Sequence, residues 1–157
     1  MMKDNKTAIT VVKVGGAVVE DATALSRLLT DFAAIPGRKI LVHGGGRRAT
    51  KVAEALGIKT TMVGGRRITD AAMLEVVTMV YGGLVNKNIV AGLQAIGVNA
   101  IGLTGADANI IRAHKRPVKD GVDYGFVGDV DAADGQMIAR LVESGVTLVR
   151  APRALDC

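Results

Sequence analysis

Val11-Val12-Lys13-Val14-Gly15-Gly16 and, one helix later, Ile40-Leu41-Val42-His43-Gly44-Gly45-Gly46 decide how this chain folds. In each, a β-branched or aliphatic run ends in glycines that open a polar stretch, and the second leads straight into Arg47-Arg48-Ala49-Thr50-Lys51. Strand, helix and strand in that order make a parallel pair joined by a right-handed crossover. Both glycine turns therefore open at the carboxyl edge of one sheet, where ligands of open α/β sheets sit. Glycine removes the Cβ that would keep a ligand off main-chain N–H groups, and a following helix N-terminus adds partial positive charge. Neither turn is G-x-x-x-x-G-K-[ST] or G-x-G-x-x-G, and each alone reads first as a tight turn. Together, with Lys13 two residues ahead of its glycines to deliver a mobile charge, they point to a site for an anion such as a phosphate.

The 157 residues fit one domain; 49% are hydrophobic and only 3% aromatic, so the core is built of Val, Ile, Leu, Ala and Met. That palette favours an α/β sheet buried on both faces. No purely apolar run is long enough to cross a bilayer, and Met1-Met2-Lys3-Asp4-Asn5-Lys6 leads into no signal-peptide core, so a cytoplasmic protein with no membrane partner is expected. The single cysteine, Cys157, cannot form an internal disulfide, which fits a reducing compartment and argues against a thiolate metal cluster; no metal site is expected. The net charge of +5 comes from scattered basic residues with few aromatics among them, which disfavours nucleic acid and leaves anionic small molecules.

Residues 7–14 read as a buried strand. Asp21 or Thr23 caps a helix carrying Leu25, Leu28, Leu29, Phe32 and Ile35, and Pro36-Gly37 ends it. After the strand at 39–42, a helix with Ala49, Val52, Ala53 and Leu56 stops at Gly57. A short strand at 59–63 and a Gly64-Gly65 turn precede Arg66-Arg67-Ile68-Thr69-Asp70. Thr69 or Asp70 caps the longest helix, to about residue 96; its stripe runs Met73, Val77, Val80, Leu84, then continues on another face as Val85, Ile89, Leu93. Two apolar faces mean either a second chain against one of them, the reading adopted, or a fully central helix in a monomer. Gly82-Gly83 would let a partner helix approach closely. A strand at 98–103 closes in Thr104-Gly105-Ala106-Asp107; residues 109–113 and 124–127 flank a polar hairpin arm, and 128–135 read as loop. A last helix with Met137, Ile138, Leu141 and Val142 stops at Gly145 before a strand at 146–149.

Taken in order, Lys13-Val14-Gly15-Gly16, His43-Gly44-Gly45-Gly46, Gly65-Arg66-Arg67-Ile68-Thr69-Asp70, Asn86-Lys87-Asn88, Gly102-Leu103-Thr104-Gly105-Ala106-Asp107 and Gly125-Phe126-Val127-Gly128-Asp129-Val130 resemble the N-acetylglutamate kinases of the amino acid kinase family. The resemblance runs from about residue 8 to about residue 149. It implies a three-layer αβα sandwich with a mainly parallel sheet, of the carbamate kinase-like kind, and phosphoryl transfer from ATP to the side-chain carboxylate of an N-acylated glutamate in arginine biosynthesis. It also implies that residues 1–150 form the amino-acid-binding and dimerisation lobe, with a homodimer through the helix around 70–96. By position, Lys13 is the catalytic lysine that neutralises the transferring phosphoryl group, and Gly16 and Gly45 offer N–H groups to its oxygens. Gly45 and Gly46 hold the acylated amino acid, and Arg67, preferred over its neighbour Arg66, pairs with the α-carboxylate. His43 is read as a polar plug beneath the glycines, because a carboxylate nucleophile needs no base.

The family continues into an Asn-x-Asn-Ala-Asp segment and an ATP-binding lobe with a second catalytic lysine. In their place stands Arg150-Ala151-Pro152-Arg153-Ala154-Leu155-Asp156-Cys157, an atypical tail over 151–157. ATP with Mg2+ belongs to the full-length family, and neither is expected on this chain alone. The 157 residues by themselves are therefore expected to be inactive as a kinase. A non-catalytic amino-acid-binding or dimerisation module, and another amino acid kinase branch, are the competing readings.

Overall fold

The computed structural model describes residues 8–152 and 155–156. Along the chain come β1 (Ile9–Val14), α1 (Gly16–Glu20), α2 (Ala22–Ala34), β2 (Arg38–His43), α3 (Gly46–Ala55), β3 (Thr61–Val63), β4 (Arg66–Ile68), α4 (Ala71–Val77), a π-helical segment (Thr78–Val85) and α5 (Asn86–Ala95). β5 (Ala100–Leu103), β6 (Ile111–Lys115), β7 (Gly128–Ala133), α6 (Gly135–Glu143), β8 (Thr147–Arg150) and β9 (Leu155–Asp156) follow. β1, β2, β8 and β5 form a four-stranded parallel sheet in that order, with Val12 beside Leu41, Leu41 beside Val149 and Gly102 beside Val149. Helices cover both faces, giving the three-layer αβα arrangement expected.

One face meets α2, α3, α4 and α5 in the main core, where Phe32, Leu41, Met73, Val76, Ile89, Leu93 and Val149 are buried. Asp21 caps α2 by accepting from Ala24 N at 2.9 Å. The Lys39 ammonium reaches from β2 to the other end of that helix, donating to Ala33 O and Ile35 O at 2.6 and 2.8 Å. On the opposite face α6 alone packs over Ile40, Val42 and Leu148 through Ile138, Leu141 and Val142. β1 therefore corrects the expectation of a buried strand: among the described residues it is an edge strand, with Val12 and Val14 turned into the main core and Val11 60% exposed on the side that α6 does not reach.

At the other edge of the sheet, β5 has no outer partner among the described residues. Asn99 O and Leu103 O accept from Thr147 N and Ala151 N, so by strand alternation the carbonyls of Ala100 and Gly102 point outward. Gln94 Nε2 donates to Ala100 O and Lys87 Nζ to Gly102 O, both at 3.1 Å.

Residues 71–95 form one continuous helical rod. Asp70 caps it through Met73 N at 2.8 Å. Its buried apolar positions are Met73, Val76, Val80, Val85, Ile89 and Leu93, with Asn86 buried beside them. The five-residue step from Val80 to Val85 falls inside the π-helical segment, where one extra residue per turn keeps the stripe on a single side. The apparent change of face thus comes from a wider turn and not from two buried surfaces. Gly82 is also corrected: a Cβ there would lie 3.2 Å from Thr104 Cγ2, so its close approach is intramolecular. By length and composition this rod is apolar enough to cross a membrane, although charged residues interrupt its apolar runs, but its stripe lies in the main core.

The hairpin arm also differs from expectation. β6 pairs antiparallel with β7, so strand replaces the loop expected over 128–135. The pairing is polar: Arg116 donates to Asp129 at 2.6 Å and His114 meets Asp131 at 2.6 Å, contacts that a search for apolar alternation passes over. Residues 124–127 instead dock on the end of β4, where Thr69 N donates to Tyr124 O at 2.9 Å and Phe126 N to Thr69 O at 2.7 Å. Gly125, at φ +72°, permits this because a Cβ would collide with the Thr69 carbonyl. Beyond residue 150, β9 adds parallel to β6, while Cys157 and the start of the expected first strand at residue 7 lie outside the described residues.

Candidate functional site

β1 and β2 end side by side, and their glycine turns face each other. Gly44 N donates to Val14 O at 3.1 Å, tying the second turn to the first strand. A Cβ on Gly16 would lie 3.8 Å from Gly45 N and 3.9 Å from Gly46 N, so these two amides border the space over Gly16. Neither amide has a protein acceptor among the described residues, and Gly46 opens α3, whose first N–H groups are free by geometry. Gly45 is buried beneath Tyr81, whose Cδ1 would be 2.8 Å from a Cβ at that position. Lys13 is exposed at the end of β1, beside Val42 and therefore on the opposite face of the sheet from His43.

Arg67 reaches the same place from β4. Its Nη2 donates to Gly46 O at 2.8 Å and Thr50 Oγ1 at 2.7 Å, and its Nη1 lies 3.5 Å from Met73 Sδ. The guanidinium is thus held against the first turn of α3. Arg66, the residue before it, is exposed and has no hydrogen bond to α3. Both arginines line a cavity of about 710 Å³ with Tyr81, Phe126, Val130 and Arg150. Among the described residues no acidic side chain lines it. Arg150 Nε is buried without a partner among the described residues, and burial lowers its pKa. Burial also pushes the Tyr81 hydroxyl up, against the opposing charge of Arg67.

Behind the glycines sit two fully buried polar side chains. Asn86 Nδ2 donates to Val149 O at 2.9 Å and lies 3.1 Å from His43 Nε2, while His43 Nδ1 lies 2.9 Å from Gly44 O. Burial lowers the His43 pKa, and its contact with Gly44 opposes this.

The sequence model of the amino acid kinase family matches residues 8–155. The chain belongs to the amino acid kinase family. It is 64% identical over 156 residues to the acetylglutamate kinase of Bacteroides fragilis, covering 99% of this chain and 59% of that protein. With the acetylglutamate kinase of Bacteroides thetaiotaomicron it shares 66% over 148 residues, 94% of this chain and 57% of the other. The chain thus spans less than two thirds of these relatives. Among solved structures, N-acetylglutamate synthase from Neisseria gonorrhoeae complexed with coenzyme A and N-acetyl-glutamate superposes with a TM-score of 0.79 at 22% identity, over 96% of this chain and 35% of that one. An isopentenyl phosphate kinase superposes at 0.54 and 21%, over 91% and 56%. These structural likenesses show the fold.

Within this amino acid kinase fold, Gly16, Gly45, Gly46 and Arg67 lie together, with Lys13 at the end of the strand that leads into them. Sequence reasoning missed Tyr81 and Arg150. Tyr81 is one of only two tyrosines in the chain and sits in the π-helical segment, but nothing local in the sequence shows that its ring covers Gly45.

Proposed function

We propose that residues 1–150 form the amino-acid-binding and dimer-forming lobe of an acetylglutamate kinase, which transfers a phosphoryl group from ATP to the side-chain carboxylate of N-acetylglutamate or another N-acylglutamate. The observation that carries this is the meeting of two glycine turns with the held guanidinium of Arg67, which also lines a cavity with Arg66 and Arg150 and, among the described residues, no acid. In this reading Arg67 makes a two-pronged bond to the α-carboxylate. Gly45 and Gly46 hold the acylated amino acid, and the N–H groups of Gly16 and Gly45 meet the oxygens of the moving phosphoryl group. Lys13 neutralises the charge that develops there. Phosphoryl transfer asks for positioning and charge neutralisation, and the acceptor carboxylate has no proton to lose.

ATP use comes with the kinase relatives. Among the described residues no cluster of three or more His, Cys, Asp or Glu forms a metal site, so Mg2+ would arrive on the nucleotide phosphates. A cytoplasmic location follows from a biosynthetic role of this kind.

The 157 residues on their own are read as binding without turnover, because the relatives they match extend well beyond the matched part. Calorimetry on the purified chain should show weak binding of N-acetylglutamate, and hydroxylamine trapping should show no ATP-dependent acyl phosphate. No binding by a folded chain would remove the amino-acid-lobe reading, and robust turnover would overturn the division of labour between lobes. Binding without turnover is also what a non-catalytic binding module would give; slow turnover with intact binding in a longer chain carrying Lys13→Ala separates the two.

A further inference from the structure

The polar pair behind the glycines admits one arrangement of protons. Val149 O can only accept, so the Asn86 atom facing it is the amide nitrogen, at 2.9 Å. The same nitrogen faces His43 Nε2 at 3.1 Å, so Nε2 must offer a lone pair. The imidazole proton then resides on Nδ1 and is donated to Gly44 O at 2.9 Å. Asn86 is 0% exposed and His43 2%, so the relay is shielded from bulk solvent. The arrangement leaves Asn86 Oδ1 buried without a partner among the described residues, a cost that the two contacts of its nitrogen must outweigh. It also depends on Gly102, where a Cβ would run into that oxygen.

What the relay holds is a peptide plane. In a trans peptide the carbonyl of one residue and the N–H of the next point in opposite directions. With the Gly44 carbonyl drawn back to His43, the Gly45 N–H is turned forward, to the side where Gly16 lies. The peptide before it is pinned separately, by Gly44 N on Val14 O. Three consecutive glycines have no Cβ to resist a peptide flip. A flip here would present the Gly44 carbonyl, a partial negative charge, to an incoming anion.

We propose that His43 is a positioning residue: held in its neutral Nδ1–H form by Asn86 and Val149, it locks the Gly44–Gly45 peptide so that the Gly45 amide donates into the site. This rests on the proposed role of Gly45 as a donor to the acylated amino acid and the phosphoryl oxygens.

Two measurements on the 157-residue chain test it. Nitrogen-15 correlation spectra of the histidine rings should show His43 protonated on Nδ1; protonation on Nε2 overturns the lock and requires no substitution that could unfold the chain. In calorimetry with N-acetylglutamate, His43→Leu should weaken binding about tenfold, the size expected for one misdirected hydrogen bond. His43→Asn, whose side-chain amide nitrogen can occupy the Nδ1 position, should restore it to within about twofold. A folded His43→Leu that binds like the unsubstituted chain, or a His43→Asn as weak as His43→Leu, also overturns the lock. If the unsubstituted chain fails to bind, the functional reading of Gly45 falls while the ring spectra still decide the tautomer.

Discussion

Arg67 and Arg66 differ by one position and by nearly everything that matters to a ligand. Strand alternation sends one guanidinium to Gly46 O and Thr50 and leaves the other exposed at the cavity wall, without either contact. Arg67→Ala should therefore weaken N-acetylglutamate binding by about 2 kcal/mol or more, through loss of a charged partner to a desolvated carboxylate. Arg66→Ala should leave it nearly unchanged, and calorimetry ranking the two the other way would move the carboxylate to Arg66. Asp107 carries a second test. Burial pushes its carboxyl up, but the Thr104 N–H at 2.6 Å and hydroxyl at 2.7 Å, with the charge of Lys87, outweigh this and hold it below the usual carboxylate range. A carboxyl depressed in the folded state contributes stability above its unfolded pKa, lost as pH falls through the folded value. Urea midpoints should accordingly fall on acidification below about pH 4, the unfolded carboxylate value, and Asp107→Asn should flatten that fall.

Most elements were legible because their signals are local. Asp21 and Asp70 cap as their side chains dictate, Gly57 and Gly145 end helices at positive φ, and the two glycine turns converge because β-helix-β order leaves little choice. The π-helical segment was not legible, since a 3.6-residue period assigns Val80 and Val85 to different faces and nothing local reveals the wider turn. Strand β7 escaped for a related reason: Asp129 and Asp131 are held by the side chains of Arg116 and His114, partners more than ten residues away. In the site, the glycines and Arg67 were readable from motif, whereas Tyr81 and the His43–Asn86 relay depend on contacts across the fold. The wide turn makes its own prediction. Removing one residue from it restores four-residue spacing between the Val80 and Val85 side chains, so deletion of Gly83, around which a Cβ finds open space, should leave the melting temperature within a few degrees. Deletion of Ala91, within α5, would rotate Leu93 out of the core and should lower it sharply, as differential scanning calorimetry would show.

At the scale of the whole molecule, the case for a second copy of the chain rests on the outer side of the long rod. Val80, Val85, Ile89 and Leu93 make a single core stripe, but Leu84, which the sequence placed in that stripe, and Met79 remain exposed at 39% and 53%. If two chains pair through this side, light scattering at tens of micromolar should give twice the monomer mass, and Met79→Glu should return it to the monomer. A monomer at those concentrations would remove the pairing.

The outward carbonyls of β5 lead somewhere else. An unpaired strand edge is a template on which another extended chain can grow, and native proteins blunt such edges with charged side chains or cover them with a helix or loop. Here Gln94 and Lys87 occupy the two carbonyls that such a strand would need first, and Lys87 adds a charge that an incoming apolar segment would have to desolvate. The helix that packs on the sheet thereby also guards its rim, giving the chain a built-in barrier to fibrillar growth from that edge.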